Sequence, residues 1–268
     1  MRRVRQFAWL LLALTVLASL GAGVWAPADY AMQFREVPNS PPSHQHLLGT
    51  DELGRDRFSR VLYGTRISLL MAPAAALLST LLATLVGGVA GYLGGWWARA
   101  AMGATDLFLS MPWLFLLLVV RAMMPLNVAP VTSVAVTFLL LGLLGWAGSA
   151  RVLCAGVRSL HDSDFVLQAR ASGLHELRLL AIQVLPNLKP VLLAQFWISI
   201  PVFIISEANL GILGLGVSEP LPSWGSLLRE MESFTSFGFE AWKLAPLVLL
   251  VLVVSSFQII LSQEEVYA

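Results

Sequence analysis

Six uncharged apolar runs constrain this chain more than any other feature: residues 7–28, 67–98, 107–120, 122–150, 191–206 and 244–263. A bilayer core takes roughly 20 helical residues to cross, and inside it every backbone N–H and C=O must bond within its own segment. With 57% hydrophobic residues, 12% charged and a mean hydropathy of +0.76, the chain carries more apolar surface than one soluble core could bury. The expected fold class is all-α, a polytopic integral membrane protein with six transmembrane helices. The third run is short, so it is expected to recruit its flanks and to hold Asp106 and Arg121 at the two interfaces, where their side chains can snorkel.

Six spans place residues 151–190 on the same side as the N-terminus. Lys and Arg divide almost evenly between the two sets of connections, so orientation rests on Arg2, Arg3 and Arg5 beside the first run, which favour a cytoplasmic N-terminus. That run also resembles a secretory leader ending at Trp25-Ala26-Pro27-Ala28, but it exceeds the roughly 7–15 apolar residues of such segments, and an anchor helix is preferred. Cys154 is the only cysteine, which excludes an intrachain disulfide and suits a small buried residue. The organisation expected is an N-terminal anchor (1–28), an external loop with an interfacial helix (29–66), a membrane core (67–263) and a short acidic tail (264–268). Within the core lie a cytoplasmic loop (151–190) and an external segment folding back toward the membrane (207–243).

Residues 151–190 form a charged island between two spans. Residues 164–171 read as a short helix stopped at Gly173, and 174–184 as a second one ending at Leu185-Pro186-Asn187. Phe165, Ala169 and Ser172 share one side of the first helix, while Arg158, Arg170, Arg178 and Lys189 suit the headgroup surface. The spacing of Ala169, Gly173, Leu185 and Pro186 resembles the EAA loop of bacterial ABC-importer permeases. That resemblance implies a coupling helix inserted into an ATP-hydrolysing subunit, with Phe165, Leu167, Gln168, Ala169, Arg170, Gly173, Leu185 and Pro186 as the contact region. The family's usual glutamate falls at Leu167 and its first alanine at Gln168, so the usual salt bridge is in question.

Between the first two spans, Gly49 and Gly54 mark turns, Asp56 can cap a helix, and Phe58, Val61 and Leu62 form an apolar stripe against Arg57 and Arg60. This is an interfacial helix that feeds the second span, either as an anchor alone or with a role of its own. The string Gly49-Thr50-Asp51, Gly54-Arg55-Asp56, Ser59-Arg60 and Tyr63-Gly64-Thr65-Arg66 resembles the dipeptide, oligopeptide and nickel branch of these permeases. After the fifth span come Glu207-Ala208-Asn209-Leu210-Gly211-Ile212-Leu213-Gly214-Leu215-Gly216 and Pro220-Leu221-Pro222-Ser223-Trp224-Gly225, where glycines allow close helix approach and the prolines force an extended turn before Trp224 reaches the interface. This segment resembles the same branch, with Asn209 and Ile212 as departures. The resemblance runs from about Trp25 to Trp242 and fails at the C-terminus, where the family's basic tail is replaced by Gln263-Glu264-Glu265-Val266-Tyr267-Ala268.

No Gly-x-x-x-x-Gly-Lys-Ser/Thr phosphate loop is present, so no cofactor is expected in this chain; ATP and Mg would be held by partner subunits. His44 and His46, two apart and next to prolines, fall in what reads as a solvated loop, His161 and His175 read as surface histidines, and neither a metal site nor a catalytic group is expected. Glu207 is an acid near the end of a span among small residues, which makes it a candidate for the translocation path or outer gate together with Gly211 and Gly214. Pairing with an arginine of this chain or of a partner permease is the alternative.

The resemblance implies an importer subunit, not an enzyme, that moves short peptides, nickel or another small solute by alternating access. The partners implied are a second homologous permease, two ATP-binding subunits, an extracytoplasmic solute-binding protein and the lipid membrane, with no nucleic acid. A secondary transporter would show an inverted repeat and a buried ion site, and a membrane enzyme would gather catalytic residues at one depth; the sequence displays neither. A non-catalytic membrane scaffold is the remaining alternative.

Overall fold

The computed structural model describes residues 2–123, 128–161, 163–231 and 241–262. Among these the regular elements are all helical, apart from isolated backbone bridges at Gln33–Arg55 and Thr50–Asp56. Five helices are long and apolar enough to cross a membrane: Arg2–Leu20, Arg57–Leu93, Pro130–His161, Lys189–Ile212 and Ala241–Leu261. A sixth span is formed if the bent pair Gly95–Ser110 and Trp113–Ala122 counts as one. Large apolar side chains stand exposed along these helices, including Leu77, Leu85, Leu107, Phe115 and Val131. In water such surface would be costly; in lipid it is the expected exterior.

The sixfold count therefore holds with one amendment. The pair bends by 78° at Met111-Pro112, inside the apolar run 107–120 that the sequence suggests as a single short span. The cause is local: a residue before proline is driven out of the helical region, and Met111 sits at φ −81°, ψ 136°. Arg121, expected to snorkel at an interface, is instead buried at 3% exposure. The interfacial helix also proves to be no separate element, because Arg57 opens the same helix that continues to Leu93.

Packing resolves two compact units. The first comprises Met1–Ala72, Val120–Phe138 and Pro201–Ala268. In it the N-terminal span and the short helix Trp224–Arg229 both pack on the last helix, and Trp224, Phe203, Ile204 and Leu210 are fully buried or nearly so. The second comprises Pro73–Val119 and Leu139–Ile200. Its helix crossing is made by small residues: a Cβ on Gly87 would lie 2.1 Å from the Ala150 carbonyl oxygen, and one on Gly91 would lie 2.6 Å from that of Cys154. Two residues four apart on each helix thus let the backbones touch, which suits association in lipid, where apolar bulk gives no driving force. Cys154 is buried there as a free thiol.

Candidate functional site

The charged island folds within the second unit. Asp164–Ala171 is helical, Gly173 takes φ +82°, and a further helix starts at Glu176. A π-turn over Leu180–Val184 then precedes Pro186, whose missing N–H and ring are poorly accommodated by regular α-helix. Val166 is fully buried in a cluster with Tyr92, Val157, Leu179, Leu180, Val184 and Leu188, against which Ala169 and Leu185 also pack. The remaining residues face outward: Phe165, Leu167, Gln168, Ser172, Gly173 and Pro186 are exposed. Phe165 and Ser172 therefore share the open side, while Ala169 turns to the core, and Val166 is the anchor that the sequence reading passed over.

Polar contacts clasp the island to its neighbouring helix ends. The Tyr92 hydroxyl donates to Glu176, whose other carboxylate oxygen lies 3.3 Å from Arg170 Nε. Arg170 also meets His161 Nε2 at 3.2 Å, and the His161 ring stands edge-on to Tyr92 at 5.6 Å. The Tyr92 hydrogen bond, aided by Arg170 and opposed by desolvation, holds the Glu176 carboxyl below the usual range. At the far end of this unit's helices, Asp106 pairs with Arg151, giving that acid a partner other than Arg99.

The string between the first two spans and the one following the fifth come together within the first unit. Glu207 is fully buried and accepts three hydrogen bonds: from Ser223 Oγ at 2.6 Å, Ser68 Oγ at 3.3 Å and the Gly225 N–H at 3.4 Å. Its partners are thus hydroxyls and an amide, with no arginine among the described residues. Trp224 donates through Nε1 to Thr65 Oγ1 at 3.0 Å and is fully buried, whereas the sequence suggested an interfacial tryptophan. Its indole nitrogen is satisfied by the second span, so the ring can leave the interface. Ser223 caps the short helix reciprocally with Ser226. Gly211 and Gly225 touch through their backbones, since a Cβ on Gly211 would fall 2.3 Å from the Gly225 carbonyl carbon.

Beside this clamp lies a charged knot. Arg55 bonds Asp51 through Nε at 2.6 Å and Glu219 through Nη1 at 2.5 Å; Arg60 bonds Glu219 at 3.1 Å and Glu230 at 2.5 Å. Arg60 is fully buried and Arg57 nearly so, which corrects their reading as the solvent face of an amphipathic helix. For Arg60 the carboxylates explain it, since burying a guanidinium is tolerable only when it is paired; Arg57 donates through Nε to the Thr50 carbonyl at 2.9 Å. Burial works against the charge of Arg55, but Glu219 and Asp51 more than offset it and push its pKa up. Burial also raises the Glu230 carboxyl, against the pull of Arg60. His46 is a buried partner of Asp56, at 2.9 Å, rather than a residue of a solvated loop, and Asp56 caps the second span through the Ser59 N–H. No group of three or more metal-ligating residues occurs among the described residues.

Gly211 and Gly214 line a cleft of about 540 Å³ in this unit, together with Arg55, Arg121, Glu219 and Arg229. Glu207 is not among the residues that line it. The sequence reading did not single out Arg121 as a residue of this cleft; its signal was an arginine closing an otherwise uncharged run. Residues 232–240 of the external segment and the tail 264–268 lie outside the described residues.

Residues 83–263 match the family model described as the binding-protein-dependent transport system inner membrane component. The dipeptide transport system permease protein DppC of Bacillus subtilis (strain 168) is 33% identical over 222 residues, covering 83% of this chain and 67% of that protein. The oligopeptide transport system permease protein OppC of the same organism is 30% identical, covering 88% and 74%. The di/tripeptide transport system permease protein DppC of Pseudomonas aeruginosa (strain UCBPP-PA14) is 33% identical, covering 87% and 76%. An all-helical chain with five to six apolar spans and a match of this extent belongs to the family of inner membrane permease components of binding-protein-dependent transport systems.

Proposed function

We propose that this chain is the peptide-translocating permease of an ATP-driven importer. It would work with a second, homologous permease, two ATP-hydrolysing subunits that hold ATP and Mg, and an external solute-binding protein. The observation that carries this reading is the island 164–187, an exposed turn pinned by Val166 to a buried cluster and by Glu176 to Tyr92. Such a knob can transmit a push without deforming. ATP closure of the engine moves it, and the spans it joins, Pro130–His161 and Lys189–Ile212, follow.

The permeases named for dipeptides, oligopeptides and di/tripeptides support short peptides as the cargo. The N-terminus and residues 151–190 lie on the cytoplasmic side in this reading, and residues 29–66 and 207–243 face the binding protein. Glu207 acts at the outer gate by holding Ser223 to Gly225 in place, while Gly211 and Gly214 border the path. The test is reconstitution of the four-subunit complex in liposomes with the binding protein. ATP-dependent uptake of short peptides, abolished by omitting this chain, is expected; ATP hydrolysis with no peptide uptake would overturn the reading.

A further inference from the structure

Arg121 borders the cleft, is buried, and pairs with no anion among the described residues. Arg55 there is neutralised by Asp51 and Glu219. Arg121, at 3% exposure, donates through Nη2 to Ser133 Oγ at 3.1 Å and to the Gly216 carbonyl at 3.2 Å. Its Nε and Nη1 are buried with no hydrogen-bond partner among the described residues. Both of its acceptors are neutral, so no anion among the described residues compensates the charge. A guanidinium held this way costs the fold energy, because hydrogen bonds to neutral groups do not replace an anion. Such an arrangement persists when a ligand supplies the missing charge.

The surroundings narrow what that ligand is. Gly211, Gly214 and Gly216 line the cleft with backbone packed closely on its neighbours, and its 540 Å³ suits a small solute. The Arg229 guanidinium packs over Gly214, where a Cβ would fall 3.1 Å from its Cζ, and brings a second positive charge. Asp51, Glu52, Glu219 and Glu230 border the same cleft, which disfavours a doubly charged anion such as phosphate and suits a zwitterion. A carboxylate matches the planar fork of an arginine in two parallel hydrogen bonds. We propose that Arg121 anchors a carboxylate subsite in this cleft, which receives the terminal carboxylate of the peptide in transit. This rests on the peptide-import reading above and names the group of the cargo that is recognised.

The probes are alanine di- and tripeptides and the same peptides as C-terminal amides, applied to the complete complex in nanodiscs. Leu53, exposed at the cleft, is replaced by cysteine in a Cys154→Ser background, and its labelling rate with N-ethylmaleimide is followed. The free acids should slow labelling and the amides should not. Arg121→Gln should remove that protection and lower uptake of the acids about tenfold or more, as expected for losing hydrogen bonds to a charged group, with Arg121→Lys intermediate. Equal protection by acid and amide, no protection by either, or protection that survives Arg121→Gln would overturn the subsite. If Arg121 instead pairs with an acid of the second permease, Arg121→Gln will separate the subunits and wild-type Leu53→Cys will show no acid-selective protection, which also overturns it. Acid-selective protection without ATP-driven uptake faults only the peptide-import reading; uptake without acid-selective protection faults only the subsite.

Discussion

Glu207 accepts a hydrogen bond from the hydroxyl of Ser223 at 2.6 Å, and the two residues stand sixteen apart in sequence. The bond ties the end of the fifth span to the segment that precedes Trp224. Because Ser68 and the Gly225 amide converge on the same carboxylate, one side chain ties its own span to two other stretches of chain.

Glu207→Gln keeps one acceptor oxygen but turns a donor toward groups that already donate. The complex should assemble and lose peptide uptake by several-fold. Glu207→Ala leaves buried donors unsatisfied and should cost about 1–3 kcal/mol, read as a lower melting temperature of the purified complex. Uptake unaltered in Glu207→Gln would remove the gate role.

Gly173 sits at φ +82° with open space where a Cβ would be, so strain rather than collision limits substitution. Gly173→Val places a β-branched residue in a conformation costing about 1–2 kcal/mol for ordinary side chains. ATPase activity should persist while uptake per ATP falls. Parallel measurement of phosphate release and uptake in liposomes decides it, and an unchanged ratio would show that the turn is not needed for coupling.

Gly87→Leu and Gly91→Leu should be among the most damaging single changes in the second unit. Their added carbons would fall within 3 Å of backbone atoms of Ala150 and Cys154, which cannot yield by rotating a side chain. Overpacking of this kind costs about 1–3 kcal/mol or more. Thermal unfolding in detergent should show it, whereas Gly103→Leu, with nothing near its Cβ position, should melt as wild type.

Glu230 gives a pH dependence of defined sign. Its folded pKa lies above the unfolded value, so the native state holds a proton that the unfolded chain releases first. The stability this group contributes is therefore present below the unfolded pKa and is lost as pH rises through the folded one. Melting temperature against pH should carry that downward component, and Glu230→Gln should flatten it; an unchanged profile would contradict the assignment.

Orientation is testable by single cysteines in a Cys154→Ser background. An impermeant maleimide should label Ser43→Cys from the outside of sealed cells and Ser163→Cys only after the inner side is opened. Labelling of both from one side would refute the proposed topology.

What the sequence made legible was periodic or punctuated. Long uncharged runs announced the spans, and Gly173 and Pro186 marked the ends of the island's helices. The bend at Met111-Pro112 was visible in principle, but the continuous hydropathy around it concealed the break. Long-range pairing was hidden for a different reason. Arg60 reads as a surface cation from its neighbours in sequence, and only the return of Glu219 and Glu230, some 160 to 170 positions later, turns it into a buried one. Likewise an arginine closing an uncharged run says little by itself; the meaning of Arg121 depends on Ser133, on Gly216 and on the cleft that Arg121 and Gly216 border.

The knot of charges bears on how the chain is threaded into the membrane. From Asp51 to Arg60 three acids, Asp51, Glu52 and Asp56, interleave with three bases, Arg55, Arg57 and Arg60. In the proposed orientation this stretch is carried across the bilayer before Glu219 and Glu230 exist to receive it. The resting potential does about 2.3 kcal/mol of work per charge per 100 mV, and on a stretch with no net charge that work sums to nothing. Export of the loop is then electrically silent, and the voltage can act on topology chiefly through Arg2, Arg3 and Arg5, which stay behind.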